Sequence, residues 1–141
     1  MTDLELAKQM LTAHTIVLCK NGLVITSDEK GISPMINFLA DGVGLEGFSV
    51  ADLIVGKAVA MLFVKAGIKE VFAKTISKSG AAYLDKFNIP YTYEIMTDNI
   101  INRKGDDICP MEKAVLTVED FEDGYNLIKD KLSELKLTNT L

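Results

Sequence analysis

The 141 residues predict an α/β fold, a three-layer α-β-α sandwich whose mixed sheet joins an N-terminal antiparallel hairpin to later parallel crossovers. Three observations carry this. Asn21-Gly22 lies between two β-branched, apolar runs, the strongest short-range hairpin signal, because both residues tolerate positive φ. Residues 52–66 are apolar on nearly every face, as a helix buried in the middle of a domain should be. After Gly67 a capped helical segment separates two strand-like runs, which implies a right-handed parallel crossover.

Each element has its own local reason. Thr2-Asp3 offers a cap to a short helix with apolar residues at 4, 6, 7, 10 and 11, ending near Leu11. Thr15–Lys20 and Leu23–Thr26 form the hairpin strands. Ser33-Pro34 supplies a cap and a proline at the first helical position for a helix over Met35–Ala40, stopping at Asp41-Gly42. The buried helix over 52–66 ends at Gly67, in the favoured C′ position. Ile68–Lys74 reads as a strand, Ser77 caps a helix over Ala81–Phe87, and Ile89–Ile95 reads as another strand. Residues 97–116 are loop-like, with a short Cys109-Pro110 turn. A C-terminal helix begins at Thr117 or Val118, runs to about residue 136 and carries acids in its first turn. Residues 1–141 read as a single domain.

Composition limits function. With 48% hydrophobic and 25% charged residues the chain can bury a continuous core. A net charge of -5 leaves no basic surplus for a phosphate backbone, so no nucleic-acid partner is expected. The acidic start lacks the pattern of a secretory signal, and no apolar run approaches the roughly 20 residues of a membrane span. A cytoplasmic protein without a membrane partner is the expectation. Cys19 and Cys109 lie far apart and read as reduced thiols.

Gly56-Lys57 imitates a phosphate-binding loop, but Ala51 stands where that loop needs glycine and Ala58 where it needs Ser or Thr. A lysine near the positive end of a buried helix calls for an anion close by, and Asp52 is the nearest acid in sequence. A second concentration of polar groups runs from Asn99 to Glu112. Within it Arg103 suits anion clamping, Asn102 and Glu112 offer hydrogen bonds, and Cys109 is a candidate thiolate at a helix start. His14, ahead of an apolar strand, reads as structural. No paired metal motif, nucleophile elbow or dinucleotide fingerprint is present, so neither a metal nor a cofactor is expected.

Ala51 to Ala58, and Asn102-Arg103-Lys104-Gly105 leading to Cys109-Pro110-Met111-Glu112, resemble a small bacterial and archaeal family of unknown function assigned to the cytidine deaminase fold. The resemblance covers about residues 5 to 116. It implies a fold and a site region, but no reaction. Zinc deaminases place His-x-Glu at the start of the buried helix and Pro-Cys-x-x-Cys at the start of the next. The corresponding stretches here, Ile54-Val55-Gly56 and Ile76 to Gly80, hold neither ligand nor proton-transfer carboxylate. Zinc-dependent deamination is therefore not expected.

The resemblance, not the spacing, brings the candidates together around a small anionic or nucleotide-like ligand in the former deaminase cleft. In that reading Lys57 is an electrophilic stabiliser or general acid, Asp52 a proton acceptor and Cys109 a nucleophile or carrier. Arg103 is the anion clamp, and Gly56, Ser77, Asn102 and Glu112 complete the ligand contacts. The alternatives are a ligand-sensing or protein-interaction module without turnover and a thiol-based group transfer through Cys109. An apolar helix and a hairpin edge point to self-association without fixing a stoichiometry.

Overall fold

Five strands, β1 (Ile16–Lys20), β2 (Leu23–Ser27), β3 (Ser49–Val55), β4 (Glu70–Ser77) and β5 (Tyr91–Thr97), form one mixed sheet in the order β2-β1-β3-β4-β5. The computed structural model describes residues 1–137. β1 runs antiparallel to both β2 and β3, whereas β3, β4 and β5 run parallel. The helices are α1 (Asp3–Met10), α2 (Ser33–Ala40), α3 (Lys57–Ala66), α4 (Lys78–Lys86), α5 (Pro110–Ala114) and α6 (Phe121–Leu137).

The hairpin closes as expected, with Asn21 at φ 50° and Gly22 at φ 82°. Its turn is tied to α1, because the Asn21 N–H donates to the Asp3 carboxylate at 2.9 Å. Thr2 is left to cap α1, its hydroxyl accepting the Glu5 N–H at 3.1 Å. His14 has a structural partner in Asp28, 2.8 Å away.

Strand alternation divides the core. Val17, Cys19, Ala51 and Phe72 pack with Ala7 and Leu11 on the α1 side. Ile16, Leu18 and Val50 point the other way, toward Met61, Leu62 and Phe63 of α3. The first seven residues of α3 are all buried, and Gly67 at φ 76° closes the helix as predicted.

β3 is the largest departure from expectation. The helix predicted from Asp52 begins only at Lys57, and Asp52 lies inside a strand, opposite Ile16 of β1. A central strand covered on both faces reads as a continuous apolar run and merges with a following buried helix; Gly56 is the only break between them. Smaller corrections have local causes. Ile32, not Ser33, is the N-cap of α2, in helical conformation and without a side-chain bond, while Pro34 keeps its place in the first turn. β4 and β5 both start and end later than predicted, and α4 begins directly after its cap, Ser77. Within the expected loop, Ile101 bridges Ile108, and the Cys109-Pro110 turn opens α5. The last helix starts at Phe121 because Asp120 accepts the Asp123 N–H at 3.0 Å. Among the described residues no helix is long and apolar enough to cross a membrane.

Candidate functional site

At the C-terminal end of β3, beyond the last pairing of Asp52 with Ile16 of the antiparallel β1, a cleft of about 850 Å³ opens. In open α/β sheets the crevice outside the carboxyl ends of the strands is the usual ligand site. The walls are the end of β3, the starts of α2 and α3, residues 100–112 and the far end of α6. Asp52, Gly56, Asn102, Arg103, Cys109 and Glu112 line it, whereas Lys57 and Ser77 do not.

Asp52 reaches the cleft by register. It shares its sheet face with its partner Ile16, at the middle of β3 where the pairing with β1 ends, and only 8% of its surface is exposed. Burial pushes its pKa up to about 8, against the opposing effect of the Ile54 and Leu53 backbone amides. A carboxyl group in a cleft that titrates near neutrality can give or take a proton at physiological pH.

The other buried acid is engaged structurally. Glu112 Oε1 accepts the Lys57 N–H at 2.8 Å and Oε2 accepts the Ala58 N–H at 2.8 Å. It thereby caps α3, whose N-cap residue, Gly56, has no side chain to do so. The anion demanded by the position of Lys57 is thus Glu112 and not Asp52. Burial raises the Glu112 pKa, opposed by the two amides and by the charge on Lys57. The lysine ammonium itself turns to the Leu116 carbonyl at 3.3 Å, so it does not face the cleft.

Gly56 and Gly80 make the arrangement possible by leaving space. Gly56 has extended backbone, φ -103° and ψ -173°, which any residue adopts. A Cβ there, however, would collide with Glu112, lying 2.6 Å from its carboxyl carbon. A Cβ on Gly80 would lie 2.9 Å from the Gly56 carbonyl carbon and 3.0 Å from the Val55 oxygen, so α4 begins directly against the end of β3. Ser77 fixes that start, its hydroxyl accepting the Gly80 N–H at 3.0 Å and bonding Ser79 at 3.1 Å. Its role is a helix cap.

Residues 100–112 form the polar wall. Asn102 Oδ1 accepts the N–H groups of Gly105 at 2.9 Å and Asp106 at 3.2 Å, and its amide donates to Asp106 Oδ1 at 3.0 Å. It therefore folds the turn that carries Arg103 and Lys104. Asp107 pairs with Lys113. Arg103, Lys104 and Lys30 stand exposed at the rim, and among the described residues no carboxylate pairs with them. Cys109 is a half-buried free thiol at the N-cap of α5. Lys30, Ile54 and Ile101 were missed by sequence reasoning. Ile54 follows Asp52 by two positions on a strand and therefore shares its face, a signal hidden while β3 was read as helix. Among the described residues no group of three His, Cys, Asp or Glu side chains is placed to hold a metal ion.

A family model described as TM1506, domain of unknown function (DUF1893), matches residues 6–132. The chain belongs to that family. Among solved structures it is similar to a DUF1893 family protein from Thermotoga maritima, with a TM-score of 0.81 and 26% identity over 93% of this chain and 88% of that one. No functionally curated protein matches.

Proposed function

We propose that this DUF1893 protein binds a small anionic molecule in the cleft beside β3, with Arg103 clamping its charge and Asp52 exchanging a proton with it. The observation that carries this is the meeting, in one concave site, of a buried carboxyl and a rim of cations that have no carboxylate partner among the described residues. Asp52 and Arg103 come from separate segments of the sequence and line the same cleft. Lys57 and Ser77 drop out of the proposed site because the Lys57 ammonium bonds the Leu116 carbonyl and the Ser77 hydroxyl caps α4.

The sheet order, the parallel direction of β3 to β5 and helices on both faces support reading residues 1–141 as one three-layer, cytidine deaminase-like domain. The zinc of deaminases does not fit that domain here. The first amides of α3 are held by Glu112, the start of α4 lies directly on Gly56, and the residues at both helix starts offer no ligand set. Glu112 is itself the negative partner of the helix start, its carboxylate accepting the Lys57 and Ala58 amides. The acidic composition and two free thiols fit a cytoplasmic protein.

Thermal-shift titration with inorganic phosphate and simple organic acids tests the proposal. A ligand at 100 times its Kd adds about 2.7 kcal/mol of stability. Arg103→Ala should remove that stabilisation, and Asp52→Asn should flatten the pH dependence of Kd around pH 8 while retaining binding. Wild-type affinity in Arg103→Ala, or no stabilisation by any anion, refutes it. Incubating the chain with a bound ligand then separates turnover from sensing.

A further inference from the structure

The chemistry of the cleft wall specifies the body of the ligand. Among the described residues that line it there is no Phe, Tyr, Trp or His, so no aromatic face is available to stack on a base. The apolar wall is aliphatic: Ile32, Ile54, Val59, Ile101, Met111 and Leu132. Two of these side chains remain half exposed, Ile54 of β3 at 53% and Ile101 of the 100–112 segment at 50%, both lining the cleft. Large apolar groups left open inside a cleft mark the surface a ligand covers. The polar groups, by contrast, gather at the rim. There Asp107 is paired with Lys113 and Asp106 is bonded to Asn102, leaving Lys30, Arg103 and Lys104 for an incoming charge.

We infer that the ligand is an amphiphilic acid: an aliphatic chain lying between Ile54 and Ile101, with a phosphate or carboxylate head held by Arg103 and the rim lysines. This rests on the anion-binding reading of the same cleft and adds the identity of the body. It sets an aliphatic chain against a nucleobase, which asks for stacking surfaces that this wall lacks.

Calorimetric titration of the full chain with inorganic phosphate, butyl phosphate, hexyl phosphate, heptanoate and adenosine monophosphate tests the inference. Each methylene buried against the wall tightens binding by up to about fourfold. Hexyl phosphate should therefore bind about four- to fifteenfold tighter than butyl phosphate, and tighter than adenosine monophosphate. Ile54→Ser and Ile101→Ser should reduce that chain-length dependence without changing affinity for inorganic phosphate. Whichever of heptanoate and hexyl phosphate binds tighter assigns the head group. Adenosine monophosphate binding tighter than hexyl phosphate, or equal affinity for the two alkyl phosphates, overturns the aliphatic body and leaves the anion cleft standing. No binding of any of the five overturns both.

Discussion

The contact between Glu112 and the start of α3 makes a quantitative prediction that separates it from ordinary packing. Glu112→Ala removes two charge-assisted hydrogen bonds of 2.8 Å and leaves the first amides of a buried helix without an acceptor. Such bonds contribute about 1.5–3 kcal/mol each, and the desolvation that raises the carboxyl pKa opposes them. The net loss should be about 2–4 kcal/mol, or a melting temperature lower by about 5–15 °C for a chain of this size. Gly56→Ala should cost a similar amount for a different immediate reason. Its backbone accepts alanine, but the three atoms nearest the new Cβ all belong to Glu112, so the carboxylate must leave. Once the carboxylate is absent, alanine at 56 has little to displace. The double variant should then be scarcely less stable than either single one, a coupling of about 2 kcal/mol or more. Urea unfolding followed by circular dichroism measures all four corners of the cycle. Additivity within about 0.5 kcal/mol would refute the claim that Gly56 exists to admit Glu112.

Asp52→Asn tests the buried carboxyl through pH. The folded-state pKa of about 8 lies above the unfolded value, so the folded chain holds the proton more tightly. Its contribution to stability is complete below about pH 4 and is lost as pH rises to about 8, by up to about 1.4 kcal/mol per pH unit. Wild type should weaken relative to Asp52→Asn across that window, and parallel stability curves would rule out the raised pKa. Ser77→Ala removes the cap of α4 and should lower stability by about 1 kcal/mol in equilibrium unfolding. Gly80→Ala forces a Cβ against backbone atoms of Val55 and Gly56, which cannot yield as a side chain does, so a loss of about 1–3 kcal/mol is expected by the same measurement.

The parts of the fold with a chemical signature in a few adjacent residues were legible. Asn21-Gly22 placed the hairpin, Gly67 ended α3 and Ser77 capped α4. β3 was hidden because its signature is shared: a strand covered on both faces and a buried helix are both continuous apolar runs. Reading residues 52–66 as one helix puts Asp52 at a helix start, whereas on the strand it shares a sheet face with Ile54. The site shows the same division. Residue type made Asp52, Arg103 and Glu112 candidates, but the chain separation between Gly56 and Glu112 carries no local trace of their contact. Lys57 and Ser77 were drawn into the site because helix starts attract polar residues for structural reasons as readily as for functional ones.

The two buried acids of the cleft differ in what surrounds them. Both carboxyl groups have their pKa values raised by burial, and both line the same cavity. Glu112 has strong partners: two helix amides at 2.8 Å and the favourable charge of Lys57. Its protonation would weaken the two amide bonds that hold α5 against α3, while burial favours the neutral acid, so the two effects oppose each other at this helix start. Asp52 has opposing effects only from the amides of its own strand neighbours, and among the described residues no cation offsets its burial. The positive groups nearest in sequence are already engaged, Lys57 with the Leu116 carbonyl and the α3 amides with Glu112. In the proposed site Glu112 would thus hold the helix start and Asp52 would be the acid that answers to a ligand. Neutralising Glu112 should therefore register first in unfolding, and neutralising Asp52 first in the pH dependence of ligand affinity.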